Sequence, residues 1–231
     1  MAKTSLLSTY LKEIVYGGND GIVTTFAVVA GFAGAQSHIT SIPLLSVLLF
    51  GFANLFADGV SMALGNFLSN RSQKDVYKQQ KKRELSEITN DLQSEEEETR
   101  TILVAKGFST EQAETLLSIY KTNTPYWLSF MMNDELEMPN PERENDVLQS
   151  FVTLSSFILF GLIPLLPYVF ARQSPNIFIY SFIATFSALV LLGIFRWKVT
   201  QQQFVRSMIE TLFLGGLAAL VAYSVGSLFR V

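Results

Sequence analysis

Apolar residues fall along this chain in long, nearly unbroken runs rather than in the short alternating or one-sided patterns of a water-soluble domain. A helix needs roughly 20 mostly apolar residues to cross a bilayer core. Five stretches qualify: Ile14–Ala35, Ile42–Leu68, Ser150–Phe170, Asn176–Phe195 and Ser207–Phe229. The third and fourth carry no acidic residue, whereas the first holds Asn19 and Asp20 among Gly17, Gly18 and Gly21. Between the second and third runs the pattern reverses, and the chain from Arg71 to Asp146 is strongly polar. The pattern predicts an all-α integral membrane protein with five transmembrane helices and a helical insert between spans two and three. The corresponding segments are 1–70, 71–148 and 149–231.

Composition sharpens this reading. Of 231 residues 49% are hydrophobic and only 16% charged. The Arg71–Asp146 insert holds 10 basic and 16 acidic residues, and the rest of the chain is net positive. Cys 0 and His 1 (His38) exclude a disulfide framework, a thiolate metal site and a multi-histidine site. Negative charge concentrated on the water-facing part argues against nucleic acid as a partner. No cleavable signal pattern precedes the first run, which is therefore read as a span. If the N-terminus is cytoplasmic, Lys3, Lys12, the insert and Arg196, Lys198 and Arg206 share its side, and only Arg172 and Arg230 lie opposite. Basic residues mark the cytoplasmic face, so the N-terminus and insert are placed there and the C-terminus on the far side.

Polar groups inside the spans call for a reason, because a carboxylate at mid-bilayer costs about 2.5–3.5 kcal/mol even on lenient insertion scales. Asp20 is one such group. Starting the first helix at Ile22, with Asp20 as its cap, would leave only about 14 apolar residues, too few to span. In the second run Asn54, Asp58, Met62 and Asn66 recur every fourth residue and so share one broad helix face. A seam of interhelical hydrogen bonds would explain them. Two acids and a thioether on neighbouring helices fit a cation path better. Small residues also form ladders, Ala27–Gly31–Ala35 in the first span and Ala218–Ala222–Gly226 in the last, which allow close packing within the chain or across a dimer. Pro164 and Pro167 should kink the third span, and Glu210 with Arg206 four residues before it reads as a helix-end ion pair.

The insert reads as a long charged helix from Arg71 to about Lys106, ended by Gly107. A second helix near Glu111–Lys121 and a third from Pro125 through Met138 follow. Glu84, Glu87, Asp91, Glu95 and Glu98 are spaced three, four, four and three apart and form an acidic stripe with no base four residues ahead. Like charges at that spacing cost about 0.2–0.5 kcal/mol per pair and point to a missing cation. Carboxylate oxygens suit hard divalent ions such as Ca²⁺, Mg²⁺ or Mn²⁺. Met131, Met132 and Glu135 sit close enough on the third helix to set thioether sulfur beside carboxylate, which shifts the preference toward a softer ion such as Fe²⁺. The competing reading of the two methionines is packing beside Trp127 and Phe130.

The run Glu13-Ile-Val-Tyr-Gly-Gly-Asn-Asp20-Gly-Ile-Val-Thr-Thr-Phe-Ala-Val-Val-Ala-Gly31 resembles the first-span signature of the vacuolar iron transporter family. Asp58-Gly-Val-Ser-Met62-Ala-Leu-Gly65, Met131-Met132-Asn-Asp-Glu135 and Gly161-Leu-Ile-Pro-Leu-Leu-Pro167 resemble later landmarks in the same order. The resemblance implies a five-span homodimer that exports Fe²⁺, with Mn²⁺ or Zn²⁺ as further candidates, from the cytosol in exchange for protons. It places Asp20 and Met62 on the translocation path and makes the insert a metal-binding domain using Glu84, Glu87, Glu95, Glu98, Met131, Met132 and Glu135. The chain departs from the pattern at Asn66, where many members carry glutamate, and at Asn54, where some carry an acid that Asp58 replaces here. A host membrane follows from the source: the inner membrane of a bacterium or the vacuolar membrane of a eukaryote. Two rivals fit the residues, a membrane-anchored metal sensor or buffer and a passive cation channel. No His-Glu-x-x-His, Gly-x-Ser-x-Gly or nucleophile–base pair lies in a span, so neither an enzyme nor an organic cofactor is expected.

Overall fold

The computed structural model describes residues 6–36, 43–143, 145–201 and 203–229; Lys3, His38 and Arg230 lie outside them. The described residues form helices and no strand. They divide into two compact units, Met1–Phe67 with Asp146–Val231 and, separately, Leu68–Asn145.

The first unit is a helix bundle. A short α1 (Leu6–Thr9) leads into α2 (Leu11–Ala35), followed by α3 (Leu44–Asn90), whose residues from Leu68 onward belong to the second unit. After the insert come α7 (Asp146–Gly161), a 3₁₀ turn at Ile163–Leu165, α8 (Leu166–Phe170), α9 (Ile177–Thr200) and α10 (Phe204–Leu228). Among the described residues four segments are long and apolar enough to cross a membrane: Leu44–Asn90, Asp146–Phe170, Ile177–Thr200 and Phe204–Leu228. The 25-residue α2 is long enough but carries Lys12, Glu13, Asn19 and Asp20, which lower its hydropathy. It is also the most enclosed helix, packed against α7, α9 and α10, with Ile22, Phe26, Val29 and Ala30 buried. Asp20 lies inside this helix rather than capping it.

Close approach explains the small residues. A Cβ on Gly21 would stand 2.2 Å from the Phe157 carbonyl oxygen of α7, and one on Gly226 would stand 2.1 Å from that of Gly31. The ladders of the first and last spans thus meet each other within the chain. Between membrane helices such packing supplies the association energy that apolar burial supplies in water. Facing outward are large apolar side chains, among them Leu49, Phe56, Val60 and Leu64 of α3 and Phe213, Leu217 and Leu220 of α10, a surface suited to hydrocarbon rather than water. Pro164 breaks the third hydrophobic stretch as expected, and its carbonyl accepts the Ser181 hydroxyl of α9 at 2.6 Å. The expected pair at Glu210 is present and doubled, with Arg206 at 2.9 Å and Arg196 at 2.7 Å.

The second unit corrects the sequence reading. The rod expected from Arg71 to Lys106 is broken at Asp91, whose backbone (φ −133°, ψ 54°) leaves the helical region between α3 and α4 (Leu92–Ala105). Gly107 (φ 98°) then ends α4, with Phe108 N–H donating to Leu103 and Gly107 N–H to Val104, the pairing that lets a left-handed glycine satisfy the last carbonyls. Ser109 and Gln112 form a reciprocal cap on α5 (Thr110–Lys121), and Asn123 caps α6 (Thr124–Asp134). The third helix stops short of Met138. The core joins Tyr77, Ile88, Leu117, Trp127, Leu128, Met131 and Met132.

Candidate metal centre

Glu84 of α3, Glu95 of α4 and Glu135 at the end of α6 offer carboxylate oxygens that all lie within 4.8 Å of one another. On a straight helix Glu84 and Glu95, eleven residues apart, would be separated by about 16 Å at 1.5 Å per residue. The break at Asp91 turns α4 back and closes that distance. Glu84 and Glu95 are buried, at 3% and 4% exposure, while Glu135 is exposed. One oxygen of each buried glutamate, Glu84 Oε1 and Glu95 Oε2, has no hydrogen-bond partner. Oxygens left in this state cost free energy unless something completes them.

The electrostatics agree. Desolvation, then the charge of Glu95 and a hydrogen bond to it, push Glu84 up to about 7. Desolvation, then the charges of Glu98 and Glu135, raise Glu95 to about 7. Glu135 also rises to about 7, through desolvation and then the charges of Glu84, Glu98 and Glu87. Glu84 and Glu95 are close enough to share a proton, Glu84 donating. Arg83 feels Glu84 and Glu135, but its guanidinium is engaged with Glu87 at 3.0 Å. Other acids of the insert have partners of their own: Glu114 with Arg100 at 2.5 Å, Asp134 with Lys106 at 2.5 Å, and Glu96 with Lys121.

The remaining predicted ligands divide. Glu87, half-buried, and Glu98, exposed, act on the trio as charges. Asp91 serves as the hinge of the fold-back. Met131 and Met132 are fully buried in the core, and the Met131 sulfur accepts the Thr99 hydroxyl at 3.2 Å while Trp127 Nε1 donates to the same oxygen at 2.8 Å.

In the bundle, Asp20 is half-buried and close enough to Asp58 to feel its charge. Asn54, Asp58, Met62 and Asn66 are all half-buried on α3. Asn66 donates to the Thr153 hydroxyl of α7 at 2.9 Å, and Asn54 lines a cavity of about 570 Å³ with Gly31 and Gly226. The sequence reading passed over Glu13, which is 5% exposed in the first turn of α2 with Oε2 unpaired. An acid in a first helical turn is ordinarily a favourable partner for the helix dipole, so its sequence position gave no signal. Two turns later on the same helix, Asn19 also buries an unpaired side-chain oxygen.

The VIT family model matches residues 11–227. The chain is 34% identical over 216 residues to a vacuolar iron transporter of Centaurea cyanus, covering 92% of this chain and 85% of that one. It is 32% identical over 213 residues to vacuolar iron transporter 1 of Arabidopsis thaliana, covering 92% and 83%. It is 31% identical over 229 residues to a vacuolar iron transporter of Plasmodium falciparum, covering 95% and 82%.

Proposed function

Because this chain belongs to the VIT family, we propose that it carries Fe²⁺, and Mn²⁺ with it, out of the cytosol in exchange for protons. In this reading α2 joins the four more apolar segments as a fifth span, two copies of the chain assemble, and the second unit lies on the cytosolic side with the N-terminus. The membrane is that of an acidic compartment such as a vacuole, or the inner membrane of a bacterium.

The observation that carries the proposal is the trio Glu84, Glu95 and Glu135. Three carboxylates with pKa values pushed to about 7 hold a proton or a divalent cation in the same place, and near neutral pH the two compete. Glu87 and Glu98 add negative potential that draws cations in. The methionines supply thioether sulfur for a softer ion once Met131 exchanges its bond from Thr99. Within the bundle Asp20, Asp58 and Met62 form the path, extended by Asn54, Asn66 and Glu13. Asp20 takes the ion by displacing its proton, and protons entering from the acidic side reverse the exchange and release it. With Asn66 in place of an acid, Asp20, Asp58 and Glu13 are the bundle's proton acceptors.

Purified protein in liposomes tests this directly. Fe²⁺ uptake should require a pH gradient of the stated direction, and Asp20→Asn should abolish it. Gradient-independent uptake would instead identify a passive channel. Tight binding by the whole protein without flux would identify a membrane-anchored sensor.

A further inference from the structure

A cavity of about 610 Å³ opens in the bundle where α2 begins and α9 ends; Asn19, next to Asp20, lines it, while Asp58 and Met62 do not. Its walls include the apolar Leu11 and Val15, the hydroxyls of Ser8 and Thr200, and two cations, Lys12 and Arg196. The charge around it is unbalanced. Glu210 is shared between Arg196 and Arg206, so one carboxylate answers two guanidiniums, while Lys12 makes no ion pair among the described residues. Arg196 reaches Glu210 through Nη2 at 2.7 Å, and a guanidinium has further donors in its fork.

Aromatic side chains mark the level of this opening. Tyr16 lines it and is 61% exposed, and Trp197, next to Arg196, packs edge-on against Phe204 with ring centroids 5.3 Å apart. Tyrosine and tryptophan beside lysine and arginine are the composition of a membrane–water interface. An apolar groove ending in Lys12, which has no ion pair among the described residues, and in Arg196, which shares its one carboxylate with Arg206, matches at that depth a molecule with a hydrocarbon body and a phosphate head.

We propose that this cavity binds the headgroup of an anionic phospholipid, its phosphate held by Lys12 and Arg196 and the upper acyl chain lying against Leu11 and Val15. The site rests on the reading of this bundle as membrane-spanning and is independent of the ion carried. A lipid seated there links the start of α2 to the end of α9, two helices that otherwise meet lower in the bundle through Ile22 and Leu192.

The test uses the full chain, purified from detergent and incubated with equimolar phosphatidylglycerol and phosphatidylcholine, with retained lipid counted by native mass spectrometry. Each basic residue near an anionic headgroup contributes about fivefold in binding. Wild-type protein should therefore retain phosphatidylglycerol in preference, and Lys12→Gln should lower that preference about fivefold. Lys12→Gln combined with Arg196→Gln should erase it, and Lys198→Gln, which alters an exposed base outside the cavity, should leave it intact. Glu210→Gln separates loss of the site from loss of the ion pair, since it breaks the pair while leaving both cations, and it should retain the lipid. Should the double variant not fold, Lys12→Gln decides alone. Equal retention of the two lipids, or an unchanged preference in Lys12→Gln, overturns the proposal. So does thermal stabilisation by millimolar inorganic phosphate equal to that by phosphatidylglycerol, which would make it a free-phosphate site. A lipid preference that survives loss of ion transport in Asp20→Asn shows that the site stands apart from the transport reading.

Discussion

Replacing Glu95 by glutamine should stabilise the metal-free second unit above neutral pH and, in the same stroke, remove its response to metal. Glu84 and Glu95 are buried against each other with pKa values of about 7 in place of the ordinary 4.5. At about 1.4 kcal/mol per pKa unit, such a rise corresponds to roughly 3 kcal/mol for one carboxyl ionised in the folded protein, so ionising both costs several kcal/mol beyond two exposed glutamates. A folded-state pKa above the unfolded one means that the folded chain binds more protons between pH 4.5 and 7. Stability is therefore greatest at the acid end of that window and falls as pH rises through about 7. Glutamine keeps the size of the side chain and its capacity to hydrogen-bond Glu84 while removing one of the two charges. The gain at pH 8 should be about 1–3 kcal/mol, the remainder of the cost staying with Glu84 and Glu135.

Trp127 is a natural reporter, being 2% exposed in the core of this unit. The other tryptophan of the chain, Trp197, can be replaced by phenylalanine. Urea unfolding of the full chain in detergent, followed by Trp127 emission at pH 5 and pH 8 with and without Mn²⁺, reads all the terms. Wild type should lose stability from pH 5 to pH 8 and regain it with Mn²⁺, because an ion that binds only the folded state stabilises by mass action. Glu95→Gln should show a flattened pH dependence and little Mn²⁺ effect. An equal pH slope in the two proteins, or equal stabilisation by Mn²⁺, would refute the reasoning.

Four further outcomes are expected. Gly21→Ala places a Cβ 2.2 Å from a backbone oxygen that cannot rotate away, so α2 and α7 must separate. A loss of about 1–3 kcal/mol or more is expected from overpacking, seen as a lower Tm in detergent. Gly65→Ala, with nothing within 4 Å, should instead gain up to about 1 kcal/mol from helix propensity. Thr99→Val strands the Trp127 indole N–H and removes the hydrogen bond to the Met131 sulfur. It should cost about 1–3 kcal/mol as a buried unsatisfied donor and shift Trp127 emission, and unchanged emission would count against the bond. Ser109→Ala breaks the reciprocal cap of α5 and should lower stability by about 1 kcal/mol in the same urea titration, with no change in Mn²⁺ affinity.

What the sequence made legible, and what it did not, follows from the range of the interactions. Hydrophobic runs are local, so the apolar stretches of α3, α7, α9 and α10 were readable within a few residues. The packing partners of the glycines were not, because a small-residue ladder states that something comes close without saying what. Only the structure pairs Gly31 with Gly226. The break at Asp91 had a local signal in Thr89-Asn90-Asp91, three residues whose side chains compete for backbone hydrogen bonds and weaken a helix. The regular spacing of the acidic stripe overrode it. The stripe nevertheless pointed to Glu84 and Glu95 because it rested on a second property, the lack of bases ahead of them, that survives the change of geometry.

That survival has a physical reason. On an unbroken rod the five acids would be solvated, at a cost of only a few tenths of a kcal/mol per neighbouring pair. Folding the rod back at Asp91 takes two of them out of water, adds Glu135 from a third helix, and leaves Glu84 Oε1 and Glu95 Oε2 without partners. The cost of the arrangement rises several-fold, and a proton or a cation offsets it. Because the carboxyls titrate near pH 7, a proton competes with a metal for the site across the neutral range. These three lose their grip on a metal as the pH falls below about 7, and apparent Mn²⁺ affinity should rise steadily from pH 6 to pH 8 and level off above it.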